Sequence, residues 1–130
     1  VLMGLGTLSL LLCGDLEPAR AAPHLHKEKF YQAKWCGRAG GRTEVVQRDR
    51  TRVDCLTDTH AIEFDFGPKW AESIGQSLYY AVQTGKKPGV VLILEKNRDI
   101  IYWIRLNTVI DEFGLNIKTW KLMPEGRGKE

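Results

Sequence analysis

Apolar residues recur along this chain in two rhythms, and the places where one replaces the other mark its elements. Between Lys27 and Arg38, Phe30, Ala33 and Trp35 follow helical spacing, with Glu28 in the first turn, where a carboxylate suits the helix dipole. Gly37, Gly40 and Gly41 stop that helix. Thr43–Gln47 is a short β-rich run, Arg48–Thr51 a polar turn, and Arg52–Leu56 a second strand, so the pair predicts a hairpin. After the polar turn Thr57–His60, residues Ala61–Phe66 alternate: Ile62, Phe64 and Phe66 on one side, Glu63 and Asp65 on the other. Gly67-Pro68 breaks the strand and opens a helix over Lys69–Gln83.

In that helix Trp70, Ile74, Leu78, Ala81 and Val82 form an apolar stripe. At about 100° per residue, Lys69, Gln76 and Tyr80 fall within roughly 40° of one another on the opposite side. Gly85 ends the helix, and Val90–Leu94 is an unbroken apolar run of the kind a strand buried on both faces requires. Leu106, Val109, Ile110 and Phe113 predict a helix over Asp99–Gly114, although Ile100–Ile104 also fits a strand. Asn116–Leu122 reads as an edge strand, followed by a polar, mobile tail from Pro124. The order α-β-β-β-α-β, then α-β, predicts a mixed α/β (α+β) fold. Its first three strands form an antiparallel meander, and the strand after the long helix joins in parallel through a crossover.

With 130 residues, 43% of them hydrophobic and 27% charged, the chain has room for one domain. A net charge of +3 permits a nucleic-acid partner without arguing for one. The opening VLMGLGTLSLLLCG is too short to span a bilayer and leads to Ala19-Arg20-Ala21, a signal-peptide cleavage pattern, although no basic segment precedes it. Residues 1–21 are therefore expected to be a leader and 22–130 a single exported domain, periplasmic or secreted, with no stable membrane span once matured. A lipoprotein site at Cys13 fits less well, because Leu12 is too large. Export leaves Cys36 and Cys55, an even pair expected to form a disulfide; free buried thiols are the alternative. The two histidines His24 and His26 read as a frayed terminus rather than a metal site. Trp35, Trp70, Trp103 and Trp120 read as core residues, and Arg48, Arg50, Arg52, Lys86 and Lys87 as surface charge able to meet phosphates.

The chemistry concentrates between Arg52 and Tyr80. Glu63 and Asp65 leave the same face of one strand, and Asp54 lies on the strand beside it. Carboxylates packed this closely raise one another's pKa, and a divalent cation with oxygen ligands resolves their repulsion. The competing reading makes Asp54 a turn-proximal acid, Glu63 and Asp65 the solvated face of a strand, and Lys69, Gln76 and Tyr80 the wet side of a helix.

The element order, Asp54 with Glu63 nine residues on, and Gln76-Ser77-Leu78-Tyr79-Tyr80 together resemble the PD-(D/E)XK nuclease superfamily. The last segment is similar to the Gln-x-x-x-Tyr motif of its exonuclease-like branch. The resemblance covers about Glu28–Leu94. It implies a restriction-endonuclease-like core and hydrolysis of DNA or RNA phosphodiesters with Mg²⁺ or Mn²⁺. Asp54, Glu63 and the backbone carbonyl of Phe64 would bind the metal. Glu28 would serve as the helical acid, with Glu44 its rival, and Gln76 and Tyr80 would touch the nucleic-acid backbone. The motif's lysine falls at Asp65, and Lys69 is positioned to replace it from the helix start. Val53 stands where the motif has proline. The alternative function is a catalytically inactive module of the same fold that binds nucleic acid or a protein partner.

Overall fold

The computed structural model describes residues 23–125. The leader, the Cys13 alternative and the end of the C-terminal tail lie outside them. The elements are α1 (Glu28–Arg38), β1 (Arg42–Val46), β2 (Arg52–Leu56), β3 (His60–Phe66), α2 (Trp70–Thr84), β4 (Lys87–Ile93), α3 (Ile100–Glu112) and β5 (Lys118–Leu122). Short 3₁₀ turns at Gly67–Lys69 and Asn97–Asp99 lead into α2 and α3. Ile100–Ile104 is helical throughout and opens α3.

The five strands form one mixed sheet in the order β1-β2-β3-β4-β5. The first three pair antiparallel with one another, and β3, β4 and β5 run parallel. β4 shows why its sequence is continuously apolar. Val91 and Ile93 pack with Ile62, Phe64, Phe66 and Tyr31 on the α1 side. Val90 and Leu92 pack with Leu106 and Ile110 of α3 and with Trp70, Ile74 and Leu78 of α2 on the other. All four tryptophans lie partly buried against these two clusters.

α1 is rotated relative to its expected face, whereas α2 packs Trp70, Ile74 and Leu78 inward as expected and departs from expectation at Tyr80 and Val82. On α1, Phe30 is 48% exposed and Ala33 is exposed, whereas Tyr31, Gln32 and Cys36 are buried. The cause is the Cys36–Cys55 disulfide, which joins α1 to β2 and fixes which side of the helix meets the sheet. Because i, i+4 positions share a helix face, Glu28 and Gln32 follow Cys36 inward. On α2, Val82 is 81% exposed, and Tyr80, expected on the polar side, is buried against Val53 and Ala61. Ser73 and Ser77 are fully buried beside it, small enough to let the helix settle on β3 and cap their own turns through Trp70 and Ile74 carbonyls. Phe113 lies beyond the end of α3 and is exposed. Gly85 closes α2 in the left-handed conformation, as its sequence position implies.

The segment before α1 is held rather than frayed. His24 Nδ1 pairs with Glu95 Oε2 at 2.6 Å, the Leu25 N–H donates to Glu95 Oε1, and Tyr31 donates to the same oxygen at 3.0 Å. His24 also stacks on Phe66 at 3.5 Å between centroids. Glu95, two residues beyond β4, is buried and attracts these donors.

Candidate active site

The sheet forks. β2 and β3 pair through Cys55–Ile62 and Leu56–Ala61, and beyond that point β2 follows β1 while β3 follows β4. Asp54 sits in the opening, and its Oδ2 accepts the Phe64 N–H at 2.8 Å, replacing a missing rung of the ladder. A strand residue sends its N–H and C=O toward the same neighbour, so the Phe64 carbonyl leaves on this edge as well. Opposite Asp54 in the β1–β2 pairing, Glu44 takes a left-handed φ of 54°, and the ladder skips the pair. Non-glycine residues rarely adopt that conformation, and such strain gathers at functional sites.

An open cleft of about 470 Å³ runs over the fork between α1 and α2. Glu28, Asp54, Glu63, Asp65, Lys69, Gln76 and Tyr80 all line it. Glu63 and Asp65 are not a solvated face: each is 4% exposed, because α2 covers the side of β3 that carries them. Glu44 lines the cleft too, but it is engaged by Arg52 at 3.4 Å and Lys29 at 4.0 Å. Glu28 instead accepts a hydrogen bond from Gln32 Nε2 at 3.0 Å and faces the acids, which distinguishes it from its rival.

Burial and mutual repulsion hold these carboxyls protonated to unusual pH. Glu63 is pushed far above the ordinary carboxyl range, first by burial and then by Asp54 and Asp65. Asp54 is raised less, since the Phe64 N–H and a hydrogen bond with Glu63 favour its charged form; Glu63 carries the proton the pair shares. Asp65 rises to about 7 through burial and then Glu28, and Glu28 rises to about 7 through burial and then Asp54. The Lys69 charge opposes both shifts, although its side chain is exposed at the rim. The Tyr80 phenol is pushed up to about 12, by burial and then by Glu63 and Asp54.

Two oxygens in the cluster, Glu63 Oε2 and Asp65 Oδ2, are buried without a hydrogen-bond partner. A third, Gln32 Oε1, belongs to a 2% exposed side chain in the same cleft that sequence reading passed over. Its signal was available: Glu28, Gln32 and Cys36 share one i, i+4 line, and a bridged Cys36 turns that line inward. Arg50 and Arg52, read as surface charge, reach the cleft rim, whereas Lys86 binds the Asp58 carbonyl elsewhere. A cluster around exposed Asp49 holds the β1–β2 turn against α2. Asp49 accepts from Tyr79 and from Thr51, and Gln83 donates to Tyr79.

Among the described residues no three His, Cys, Asp or Glu side chains converge into a group able to hold a metal ion by themselves. Among the same residues no helix is long and apolar enough to cross a membrane. No family model matches this chain, and neither a curated protein nor a solved structure does.

Proposed function

We propose that the cleft is the active centre of a Mg²⁺- or Mn²⁺-dependent nuclease that hydrolyses DNA or RNA phosphodiesters on a restriction-endonuclease-like, PD-(D/E)XK-type core. The observation that carries this reading is that one cleft is lined by two buried acids from β3, each with an unpartnered oxygen, and by half-buried acids from α1 and β2. Buried acceptors are ordinarily satisfied, so oxygens left open in this way favour a ligand that accepts their lone pairs. An all-oxygen donor set fits a hard divalent cation, which keeps several waters and needs only one or two carboxylates.

Asp54 and Glu63, with the Phe64 carbonyl on the same edge, would hold the ion. When bound, such an ion polarises phosphate oxygens and offsets charge that develops on them. The chain's own groups orient the substrate around it. Gln76 at the rim donates toward a phosphate, the Tyr80 phenol stays protonated as a donor at any physiological pH, and Arg50 and Arg52 draw the backbone toward the cleft. Lys69 brings an ammonium whose charge acts on both Glu28 and Asp65. The disulfide is compatible with an exported protein.

One observation favours the inactive-module reading: Asp65 occupies the motif's lysine position, and Lys69 is exposed rather than buried in the acid cluster. Incubating the purified protein with single- and double-stranded DNA and RNA, with Mg²⁺ or Mn²⁺ and with EDTA, separates the two. Cation-dependent cleavage that falls at least about a hundredfold in Asp54→Asn and Glu63→Gln supports the nuclease. Intact substrates, bound equally well by wild type and both variants, would establish the module instead.

A further inference from the structure

The sheet face turned away from Glu63 and Asp65 carries aromatic residues that the cleft does not use. On this side α1 packs over β1, β2 and β3, while α2 and α3 cover the other side, so the β5 end of the face meets a groove rather than a helix. Trp120 of β5 and Trp35 of α1, both half-buried, meet there edge to face with 5.2 Å between centroids. His60 at the start of β3 closes on Trp120 at 5.6 Å. Trp120 lies against Gly89 of β4, where a Cβ would come within 2.7 Å of its ring. The exposed Lys118 sets its ammonium over the same indole at 5.1 Å, so a face of that ring is turned outward. Trp35 lines two open hollows, one of about 410 Å³ on the Trp120 side and one of about 400 Å³ toward Phe30 and Met123.

We propose that this face binds a single-stranded nucleic acid, its bases stacking on Trp120 and Trp35 and its phosphates meeting Lys118, Lys34 and Arg38. The platform lies outside the acid cleft and stands whether or not the cleft cleaves. An aromatic ring stacks on any nucleobase, but only on one freed from a duplex, which selects single strands. Charge selects a polyanion over an apolar partner. Histidines aside, the charged side chains lining the two hollows are Lys34, Arg38 and Lys118 against Asp58 and Glu125, one acid to each hollow. Lys87, exposed and paired in register with His60, adds a fourth cation. Burial first, then Lys118 and Lys87, lower the His60 pKa, so both ammonium charges are felt inside the groove. The imidazole is thereby held neutral at pH 7, a flat wall beside the indole.

Binding is measured in EDTA by fluorescence anisotropy of labelled oligonucleotides with the disulfide-bonded protein. The probes are oligothymidylate, oligouridylate, an abasic strand of the same length and a duplex. Wild type should bind at least one of the two base-bearing strands about tenfold or more tighter than the abasic strand and the duplex, with quenching of indole fluorescence. Trp120→Leu, its fold checked by circular dichroism, should lose about tenfold in affinity and part of the quenching. Because Trp120 also packs on the sheet, the exposed cations supply a second variant. Replacing Lys34, Arg38 and Lys118 together with Ala should weaken binding and flatten the slope of log affinity against log salt by about 2. Equal affinity for base-bearing and abasic strands, or an unchanged salt slope in the alanine variant, overturns the platform. Binding intact in both variants but lost in Arg50→Ala/Arg52→Ala also overturns it, placing the strand at the acid cleft and leaving the nuclease reading standing. Binding of no strand removes the platform, while cleavage with Mg²⁺ decides the cleft separately. Self-association that Trp120→Leu abolishes would make this face a contact between two copies instead.

Discussion

The acid cluster should make the cation-free protein lose stability as pH rises from 5 to 8. Asp65 is 4% exposed, and its pKa is raised from 3.8 to about 7 in the folded state. In the unfolded chain the same carboxyl is ionised above about pH 4. Between those values the native state binds more protons than the unfolded state, so the slope of stability with pH is negative. The native protein is favoured while Asp65 stays protonated, and that advantage disappears as pH passes through 7. Integrated from pH 5 to 8, Asp65 alone accounts for about 2–3 kcal/mol. Glu28, also raised to about 7, acts in the same direction.

In a domain of this size 1 kcal/mol moves Tm by roughly 4–8 °C, well within reach of thermal denaturation followed by circular dichroism. The measurement is made in EDTA at pH 5, 6, 7 and 8, with the disulfide intact, on wild type and Asp65→Asn. Wild type should weaken steadily. The variant should match it at pH 5 and exceed it at pH 8. Saturating Mg²⁺ should restore wild type at pH 8 and do little for it at pH 5, because a cation favours the ionised acids. A flat or rising profile in EDTA would show that these carboxyls are not strained by burial, and the electrostatic account of the cleft would fail.

Three structural predictions accompany it. Replacing both Cys36 and Cys55 with Ser opens the bridged loop and should cost about 3 kcal/mol in urea denaturation, with weaker Mn²⁺ binding because α1 loses the tie that turns Glu28 inward. Gly41→Ala places a Cβ 2.7 Å from both sulfurs and 3.1 Å from the Leu56 carbonyl oxygen. It should destabilise by about 1–3 kcal/mol, and the loss should shrink in protein already lacking the disulfide. Tyr31→Phe removes a hydrogen bond to buried Glu95; we expect a loss of about 1 kcal/mol and faster proteolysis ahead of α1, and unchanged cleavage there would refute the tether.

Periodicity alone located the eight main elements, because the switch between periods of two and 3.6 and the punctuation by Gly67-Pro68 and Gly85 are local properties of the chain. The same alternation put Glu63 and Asp65 on one face, and spacing placed Gln76 and Tyr80 on α2. Local pattern was silent on what lies above a face. Glu63 and Asp65 could be read as solvated until α2 settled over β3, and Tyr80 could be read as wet until Ser73 and Ser77 proved small enough to draw that side of the helix inward. Periodicity likewise chose Phe30 and Ala33 for the buried side of α1. The disulfide outweighed it, since a covalent bond from Cys36 to β2 sets the helix rotation and carries Glu28 and Gln32 to the cleft. The fork between β2 and β3 and the left-handed Glu44 opposite Asp54 depend on how three strands share hydrogen bonds. The acid types and their order were written in the chain; their burial, their pairing and the oxygens left open among them arose only when α1 and α2 closed over a splayed sheet.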